Sequence, residues 1–328
     1  MDISLIRDQG VARRCSLEQL PALLDSEQGL VWVDLPVCDE RAAHLLSEVF
    51  GFHPRAVQGC VERNHVPRIH VYADYVFVVL HAPEVGQGGH VHYVELDQFI
   101  GRGYLVTVHG PLAPAVRVDT ALRETRAVAQ RIQAGRLRPG SAFGLSHAIV
   151  STLIRREEEF VAHRARAVGL LEQRVMAGGV GDPEQLLEEL FRVRQELLAV
   201  RTMAAQSKEV YGRLTTSAQA VEKADRRLLE DVMDQYNHLR RVADGQREFL
   251  QGVIDFYRAR TDTKMTVAAE RLTVVAAVTL PITAISSVLG MNVIVNSDTD
   301  FVLAPILILV MAAISAVLLG WTKRKGWW

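Results

Sequence analysis

Two long uncharged stretches near the C-terminus dominate the pattern of apolar and polar positions. Residues 272–297 contain no Asp, Glu, Lys or Arg, and neither do residues 301–322. Each stretch can form a helix of about 20 residues, roughly 30 Å long, which is enough to cross the apolar core of a bilayer. The pattern therefore predicts two transmembrane helices. Two long buried helices of a soluble protein remain the alternative.

The charges around these stretches predict their orientation. The connecting segment, residues 291–300, carries only Asp298 and Asp300 as charged residues, whereas residues 323–328 read Lys-Arg-Lys-Gly-Trp-Trp. Cationic residues concentrate on the cytoplasmic side of a membrane, and tryptophan favours its interface. This asymmetry favours a membrane over a soluble core. It places the connecting loop outside and both termini in the cytoplasm.

One face of the first predicted span carries small and hydroxylated residues. We call this face the polar stripe; it recurs at alternating spacings of three and four back from Gly290, and its members are Ser287, Thr283, Leu280, Ala276, Thr273, Ala269 and Thr266. Such a stripe is typical of close helix packing, or of a helix face that lines a water-filled pore. Two spans cannot enclose a pore, so the second interpretation requires a ring of identical subunits.

The chain before the spans divides into an α/β part and a helical part. Residues 1–112 contain apolar strand-like runs at 29–37, 68–81 and 92–109, the last two broken by turn residues, and an amphipathic helix at 39–50. Residues 113–217 are mostly helical. A helix at 143–176 and another from Pro183 to about residue 217, capped by Asp182, form a predicted antiparallel hairpin. Its acids alternate with arginines and are interpreted mainly as a solvated face; they are Glu157, Glu158, Glu159, Glu184, Glu188 and Glu189.

Residues 218–290 are predicted to form one helix, roughly 110 Å long, that continues into the first span. Gly245 and Gly252 weaken it, and Pro281 is the first proline within it. Apolar residues recur at heptad spacing, as in a helix packed against partner helices. These positions are Leu229, Val232, Tyr236, Leu239, Ala243, Gln246, Leu250, Val253 and Tyr257.

Composition narrows the class of function. The net charge is −1, which does not suggest a nucleic-acid partner, and the three cysteines are widely separated. We interpret them as reduced thiols and not as a disulfide framework or zinc site. No Gly-rich phosphate loop or nucleophile elbow occurs, so neither an enzyme nor an organic cofactor is predicted. His90 and His92 share a strand face; solvated surface is favoured there over a metal site.

The tripeptide Gly290-Met291-Asn292, at the outer end of the first of two C-terminal spans, resembles the signature of the CorA family of divalent-cation channels. Leu272-Thr273, Pro281 and Thr283 keep the family's spacing to it without a gap. In residues 1–112, His53-Pro54, Pro67-Arg68, the strand 75–80 and residues 105–109 are also similar. The resemblance implies an α+β membrane protein: a cytosolic α/β domain, a long helical stalk and two C-terminal transmembrane helices, assembled as a pentameric funnel in the lipid of the cytoplasmic (inner) membrane.

The resemblance also implies roles for individual residues. Mg²⁺, and also Co²⁺ or Ni²⁺, would pass a selectivity filter formed by Gly290, Met291 and Asn292. Leu272 and Leu280 match the family's hydrophobic constrictions. Asp231 matches an acid that shares a regulatory Mg²⁺ with a neighbouring subunit, with Asp255 and Glu84 as further candidates.

Three differences from the family's sequence pattern affect which ion the protein is expected to transport. The outer loop lacks the family's Met-Pro-Glu-Leu continuation, so Asp298 or Asp300 would have to replace its glutamate. Thr266 stands where the family has a pore asparagine, and Leu289 where it often has an aromatic residue. A Zn²⁺ transporter of the ZntB branch therefore remains an alternative. A membrane-anchored coiled-coil scaffold is a second one, although it leaves the polar stripe unexplained.

Overall fold

The structure, a computed structural model, describes residues 1–7, 12–26, 29–86, 91–178, 182–217, 221–290 and 300–324, without the side chains of residues 12, 288–290, 300–304 and 307. It divides into two compact units, Met1–Gln251 and Gly252–Trp328. The long helix α8 contributes residues to both.

Among its described residues, the first unit contains one sheet of seven strands, ordered β2-β1-β3-β7-β6-β5-β4. β3 and β7 are parallel, and every other neighbouring pair is antiparallel. The strands are β1 (Asp2–Ile6), β2 (Ala12–Arg14), β3 (Leu30–Leu35), β4 (Arg68–Val71), β5 (Tyr75–Val85), β6 (Val91–Gly101) and β7 (Tyr104–His109).

Both faces of the sheet are covered, which explains why its central strands are apolar almost without alternation. On one face Phe77, Val79 and Phe99 belong to a core shared with three short helices, α1 (Leu20–Asp25), α2 (Glu40–His44) and α3 (Pro54–Val61). The other face packs against α6 (Ala142–Ala177). Burying an aromatic ring such as that of Phe77 contributes about 2–3 kcal/mol.

The strand predictions agree with the structure in position but not in number. The predicted strand at 29–37 is β3, and the runs at 68–81 and 92–109 each split into two strands at the predicted turns. The predicted helix at 39–50 is present as two consecutive segments, α2 over Glu40–His44 and a π-helical turn over Leu45–Val49. β1 and β2 were not predicted.

The predicted helical hairpin is confirmed as α6 and α7 (Pro183–Thr216), after the shorter helices α4 (Val118–Ala121) and α5 (Arg123–Gln133). The Ser141 side chain caps α6 by accepting a hydrogen bond from the Gly144 amide at 3.0 Å. Gly178, directly after the last residue of α6, has a left-handed φ of 73° and caps the helix. Asp182 caps α7, accepting from the Glu184 amide at 3.0 Å. These local signals place both helices within one residue of the predicted bounds.

The solvated-face interpretation of the hairpin acids is wrong for Glu157. Its side chain is fully buried, whereas Glu158, Glu159, Glu184 and Glu188 are exposed. Neither Glu157 carboxylate oxygen has a hydrogen-bond partner among the described residues. Burial raises the pKa of Glu157 well above its usual value, although Arg156 acts in the opposite direction.

The hairpin is followed, in the described ranges, by α8 (Lys223–Gly290) and α9 (Asp300–Arg324). The predicted apolar seam of α8 is buried at Leu229, Val232, Tyr236 and Leu239, and farther along at Ala243 and Leu250. α9 covers the second predicted span. Within the described residues, one helix is long and apolar enough to cross a bilayer, namely α8 over Lys223–Ser287. Its most apolar 18-residue stretch has a mean hydropathy of 1.5, and 6% of that stretch is buried.

Candidate functional site

The polar stripe lies on the second unit's part of α8 and is open along most of its length. Thr266, Ala269, Thr273, Thr283 and Ser287 are exposed, and Ala276 is partly buried. Leu272 is 71% exposed and Leu280 is 66% exposed. Val274, on another face of the same helix, is only 3% exposed. Leu280 on the stripe and Leu272 beside it are therefore exposed in the single chain, whereas Val274 on another face of the helix is packed.

The threonine hydroxyls of the stripe have a defined orientation. The Thr266 Oγ1 donates to the Asp262 carbonyl at 3.0 Å, and the Thr273 Oγ1 donates to the Ala269 carbonyl at 2.9 Å. Thr283 bonds the Thr279 carbonyl in the same way, at 2.8 Å. Because each proton is used within the helix, the oxygen lone pairs remain as hydrogen-bond acceptors. The stripe therefore offers oxygen acceptors without a formal charge, suited to the waters of a hydrated cation.

Pro281 adds a backbone acceptor to the same span. Proline has no N–H, so the carbonyl four residues earlier, that of Ala277, lacks its usual helical donor. In an apolar environment such a carbonyl is retained where it is buried in protein or faces a water-filled cavity. The proline thus places a second kind of neutral oxygen in the predicted pore segment.

The predicted filter begins at the C-terminal end of the described part of α8. Gly290 is the last residue of α8, whereas Met291, Asn292 and Asp298 lie outside the described residues. Asp300 is the first residue of α9, and its side chain is also outside them. Their predicted roles remain predictions. The same holds for His90, while His92 is partly buried on β6.

Asp231, the leading regulatory candidate, lies in the first unit's part of α8 and contacts α6. Its Oδ2 atom is 2.7 Å from His147 Nε2 and accepts a hydrogen bond from Gln235 Nε2 at 2.6 Å. The Asp231 side chain is 54% exposed. Sequence reasoning missed His147, since nothing in the local pattern relates two residues 84 positions apart. Asp231 is thus held in place by its own chain while remaining accessible.

Glu84 has a different environment. Its carboxylate oxygen lies 2.5 Å from Nη2 of Arg156, whose side chain is only 4% exposed and which also pairs with Glu124 at 3.0 Å. A cation at Glu84 would compete with this buried arginine. Asp255, the remaining candidate, is exposed on α8. Within the described ranges, no group of three or more His, Cys, Asp or Glu side chains is arranged to hold a metal ion.

The three cysteines are free thiols, as predicted. Cys60 is buried against the sheet near Asp97, whose side chain is fully buried and has no hydrogen-bond partner in the described part of the chain. Burial and the neighbouring Glu95 raise the pKa of Asp97 well above its usual value. The sequence does not signal this acid, because it alternates with apolar residues in the same way as an exposed strand residue.

The fold includes a helix long and apolar enough to cross a membrane, and comparison with known proteins identifies the family of this chain. Residues 27–325 match the family described as "CorA-like Mg2+ transporter protein". The chain belongs to this family, which is one of transporters and not of enzymes, and its class of activity is divalent-cation transport.

Two curated proteins are similar over most of their length. A "Putative metal ion transporter YfjQ" from Bacillus subtilis is 25% identical over 302 residues, covering 90% of this chain and 89% of that protein. The "Cobalt/magnesium transport protein CorA" of Thermotoga maritima is 22% identical over 289 residues, covering 86% and 78%.

Solved structures share the fold at lower sequence identity. The complete CorA magnesium transporter from Methanocaldococcus jannaschii has a TM-score of 0.80 at 17% identity, covering 100% of this chain and 98% of that one. The full-length CmaX protein has a TM-score of 0.76 at 18% identity, with the same coverage. The ZntB cytoplasmic domain from Vibrio parahaemolyticus has a TM-score of 0.61 at 10% identity, covering 80% and 98%. At this identity these likenesses establish the fold alone.

Proposed function

We propose that the chain assembles as a homopentamer in which α8 helices line a pore for divalent cations. Mg²⁺ is the main ion, and Co²⁺ and Ni²⁺ are further substrates. The observation that carries the proposal is the exposed polar stripe, whose threonine oxygens keep free lone pairs as acceptors, in a chain of this transporter family. α8 and α9 both cross the cytoplasmic (inner) membrane, the loop 291–300 lies outside, and both termini lie in the cytoplasm.

The stripe supports passage of an ion that keeps its water. Mg²⁺ holds its first water shell tightly and demands octahedral oxygen geometry, so stripping that shell is slow. Neutral oxygens can accept hydrogen bonds from the bound waters without trapping the charge. A ring of Asn292 amide oxygens at the outer mouth would select the ion in this way, and Thr266, Thr273 and Thr283 would continue the path inward.

Leu280 and Leu272 are proposed to close this path. Both side chains are uncovered in the single chain, and a ring of such side chains forms an apolar constriction that excludes water. Ion passage then requires the helices to separate until the constriction is wet. The gate residues lie within α8, whereas Asn292 follows the last residue of that helix in sequence, so the gate and the filter can change independently.

Cytosolic Mg²⁺ is proposed to set the position of this gate. An ion shared between Asp231 of one chain and a second copy would remove repulsion between acids and stabilise the closed arrangement. Asp255 is a second candidate ligand, and the Arg156 ion pair makes Glu84 the weakest of the three. Mg²⁺ thus acts both as transported ion and as regulator.

The names of the two curated relatives support the choice of cargo: one is called a metal ion transporter and the other a cobalt/magnesium transport protein. The likeness to the ZntB domain concerns the fold only. Zn²⁺ is therefore included in the test as a competing ion.

The test is cation flux into proteoliposomes of the purified chain, measured with Mg²⁺, Co²⁺, Ni²⁺ and Zn²⁺ separately, together with native mass in mild detergent. We expect Mg²⁺ flux and the mass of five chains. Flux of Zn²⁺ without Mg²⁺ would contradict the proposed ion. An assembled oligomer that carries no divalent cation would contradict the pore, and a conducting monomer would contradict the assembly.

A further inference from the structure

A groove on α8 combines two cations with an apolar floor immediately before the uncharged span. We call it the basic groove: its volume is about 620 Å³ and it is lined by Thr263, Lys264, Val267, Ala268, Arg271, Leu272 and Val275. All of these residues belong to the second unit. Arg271 is the last charged residue before residues 272–297, which carry no charge.

The two cations face the same direction and are available to a ligand. Lys264 and Arg271 are seven residues apart, so they point within about 20° of each other on a helix. Both side chains are exposed, and neither has an ion pair or side-chain hydrogen bond in the part of the chain that the structure describes. Glu270 does not occupy the same direction, since one residue turns the helix by about 100°.

The basic groove faces away from the polar stripe, although Leu272, one of the two proposed gate residues, is also among its lining residues. Thr273, in the polar stripe, follows Arg271 by two residues and therefore points about 160° away from it. Val267 and Val275, which form the apolar floor with Lys264 and Arg271, are 40% and 59% exposed. The helix thus presents a neutral polar stripe on one side and a cationic, partly apolar groove on nearly the opposite side.

We propose that the basic groove binds an anionic phospholipid of the cytoplasmic leaflet, with its phosphate between Lys264 and Arg271 and an acyl chain along Val267 and Val275. The assignment rests on the membrane placement of α8 in the proposed function. A phospholipid fits because its charge and its chain meet at the depth where the charged residues of α8 end. A free anion would use the cations but leave the valines uncovered in water.

The test measures lipid binding to the purified full-length chain by native mass spectrometry, with phosphatidylglycerol and phosphatidylcholine of identical acyl chains. We expect phosphatidylglycerol to bind more tightly. The double variant K264Q/R271Q is expected to lose about 30-fold in affinity for it, since each cation near the surface contributes about a fivefold factor. K264R/R271K, which keeps both charges, should retain most of the affinity.

Two controls test whether binding requires the cations of the basic groove and the acyl chain of the lipid. R136Q/R138Q removes the same charge from exposed sites in the first unit and should leave lipid affinity unchanged. Inorganic phosphate at millimolar concentration should not displace phosphatidylglycerol. The proposal is overturned if the wild type does not prefer phosphatidylglycerol, if K264Q/R271Q binds as the wild type does, or if phosphate alone displaces the lipid.

Flux of Mg²⁺ into vesicles of phosphatidylcholine with phosphatidylglycerol, measured on the same preparations, separates the two proposals. Flux without lipid preference removes the lipid site and leaves the pore. Lipid preference without flux leaves the lipid site and removes the pore.

Discussion

At the scale of single residues, the proposed filter depends on the difference between an amide and a carboxylate. An amide oxygen accepts hydrogen bonds from the waters of a cation, whereas a carboxylate also attracts the charge directly. Asn292 is followed by no charged residue until Asp298. A neutral filter fits rapid release of the ion better than a charged one.

Asn292→Ala is expected to reduce selective Mg²⁺ flux to background while the oligomer still assembles, because only the filter acceptors are lost. Asn292→Asp should bind Mg²⁺ more tightly and conduct it more slowly. Proteoliposome flux and native mass measure both. Normal Mg²⁺ flux by Asn292→Ala would show that selection occurs elsewhere.

Burial in the folded chain changes the pKa of Glu157 from that of an ordinary glutamate. It is buried on α6 and lies close enough to Tyr236 of α8 for the two groups to interact electrostatically. The charged groups that act on it are Arg156, Glu124 and Glu158. Since burial raises the pKa of Glu157 in the folded chain, folding favours its protonated form. Glu157 therefore stabilises the folded chain most at pH values below its unfolded pKa, near 4.5. This contribution to the free energy of unfolding is lost as the pH rises through the pKa of Glu157 in the folded chain.

Glu157→Gln should accordingly unfold at a higher temperature than the wild type at pH 8, and the two should converge towards pH 4.5. The difference in unfolding free energy should change by up to about 1.4 kcal/mol per pH unit between the two pKa values. Thermal unfolding of the full chain in detergent measures this. Glu158→Gln, at an exposed neighbour, is the control; an equal effect there, or no pH dependence in the difference, would contradict the assignment.

At the scale of elements, α8 has different surfaces along its length. Its first half buries an apolar seam within the first unit, and its second half carries the polar stripe and the basic groove on opposite sides. The Thr273 hydroxyl belongs to the stripe. Ser315 of α9 makes the same kind of bond to its own helix, at 2.8 Å to the Met311 carbonyl, and lies outside α8.

Thr273→Val keeps the shape of the side chain and removes the oxygen, so it should lower Mg²⁺ flux about threefold or more if the stripe lines a hydrated path. Ser315→Ala, which removes a helix-bonded hydroxyl from α9 and not from the proposed pore helix, is the control and should change flux by less than about twofold. Flux assays on both variants, corrected for the amount of oligomer, provide the measurement. Equal effects would indicate a general requirement for helix packing and would favour the packing interpretation of the stripe.

At the scale of the whole molecule, regulation requires that an ion in the cytosol affect a gate in the membrane. Asp231 and the stripe are on one helix, α8, and Asp231 is held against His147 of α6. A ligand can shift the open–closed equilibrium only through its different affinity for the two states. Binding of Mg²⁺ at Asp231 in the closed state alone would meet this requirement.

Asp231→Asn retains the shape and a hydrogen-bonding oxygen but removes the charge. We expect it to raise the cytosolic Mg²⁺ concentration needed for half-inhibition by at least about fivefold, with the uninhibited flux unchanged. Glu230→Gln, at the exposed neighbouring acid, should leave inhibition unchanged. Unchanged inhibition in an Asp231/Asp255 double variant would place the sensor elsewhere in the chain.

Several features of this protein could be read from the sequence because they depend on neighbours along the chain. Ser141, Asp182 and Gly178 act on backbone groups within a few residues, and the predicted bounds of α6 and α7 lie within one residue of the observed ones. Hydrophobic periodicity is equally local, and it predicted the apolar seam of α8 and the polar stripe. The family followed from a tripeptide and its spacing to the preceding span.

Other features were decided by tertiary structure. Glu157 has the same sequence context as the exposed Glu158 and Glu159, but helix packing buries it. Asp231 meets His147 across 84 residues, and β1 and β2 extend a sheet whose parallel pair, β3 and β7, lies far apart in sequence. Burial and long-range pairing depend on which distant element covers a residue. Local periodicity carries no information about that, because the free energy involved arises only when the elements pack.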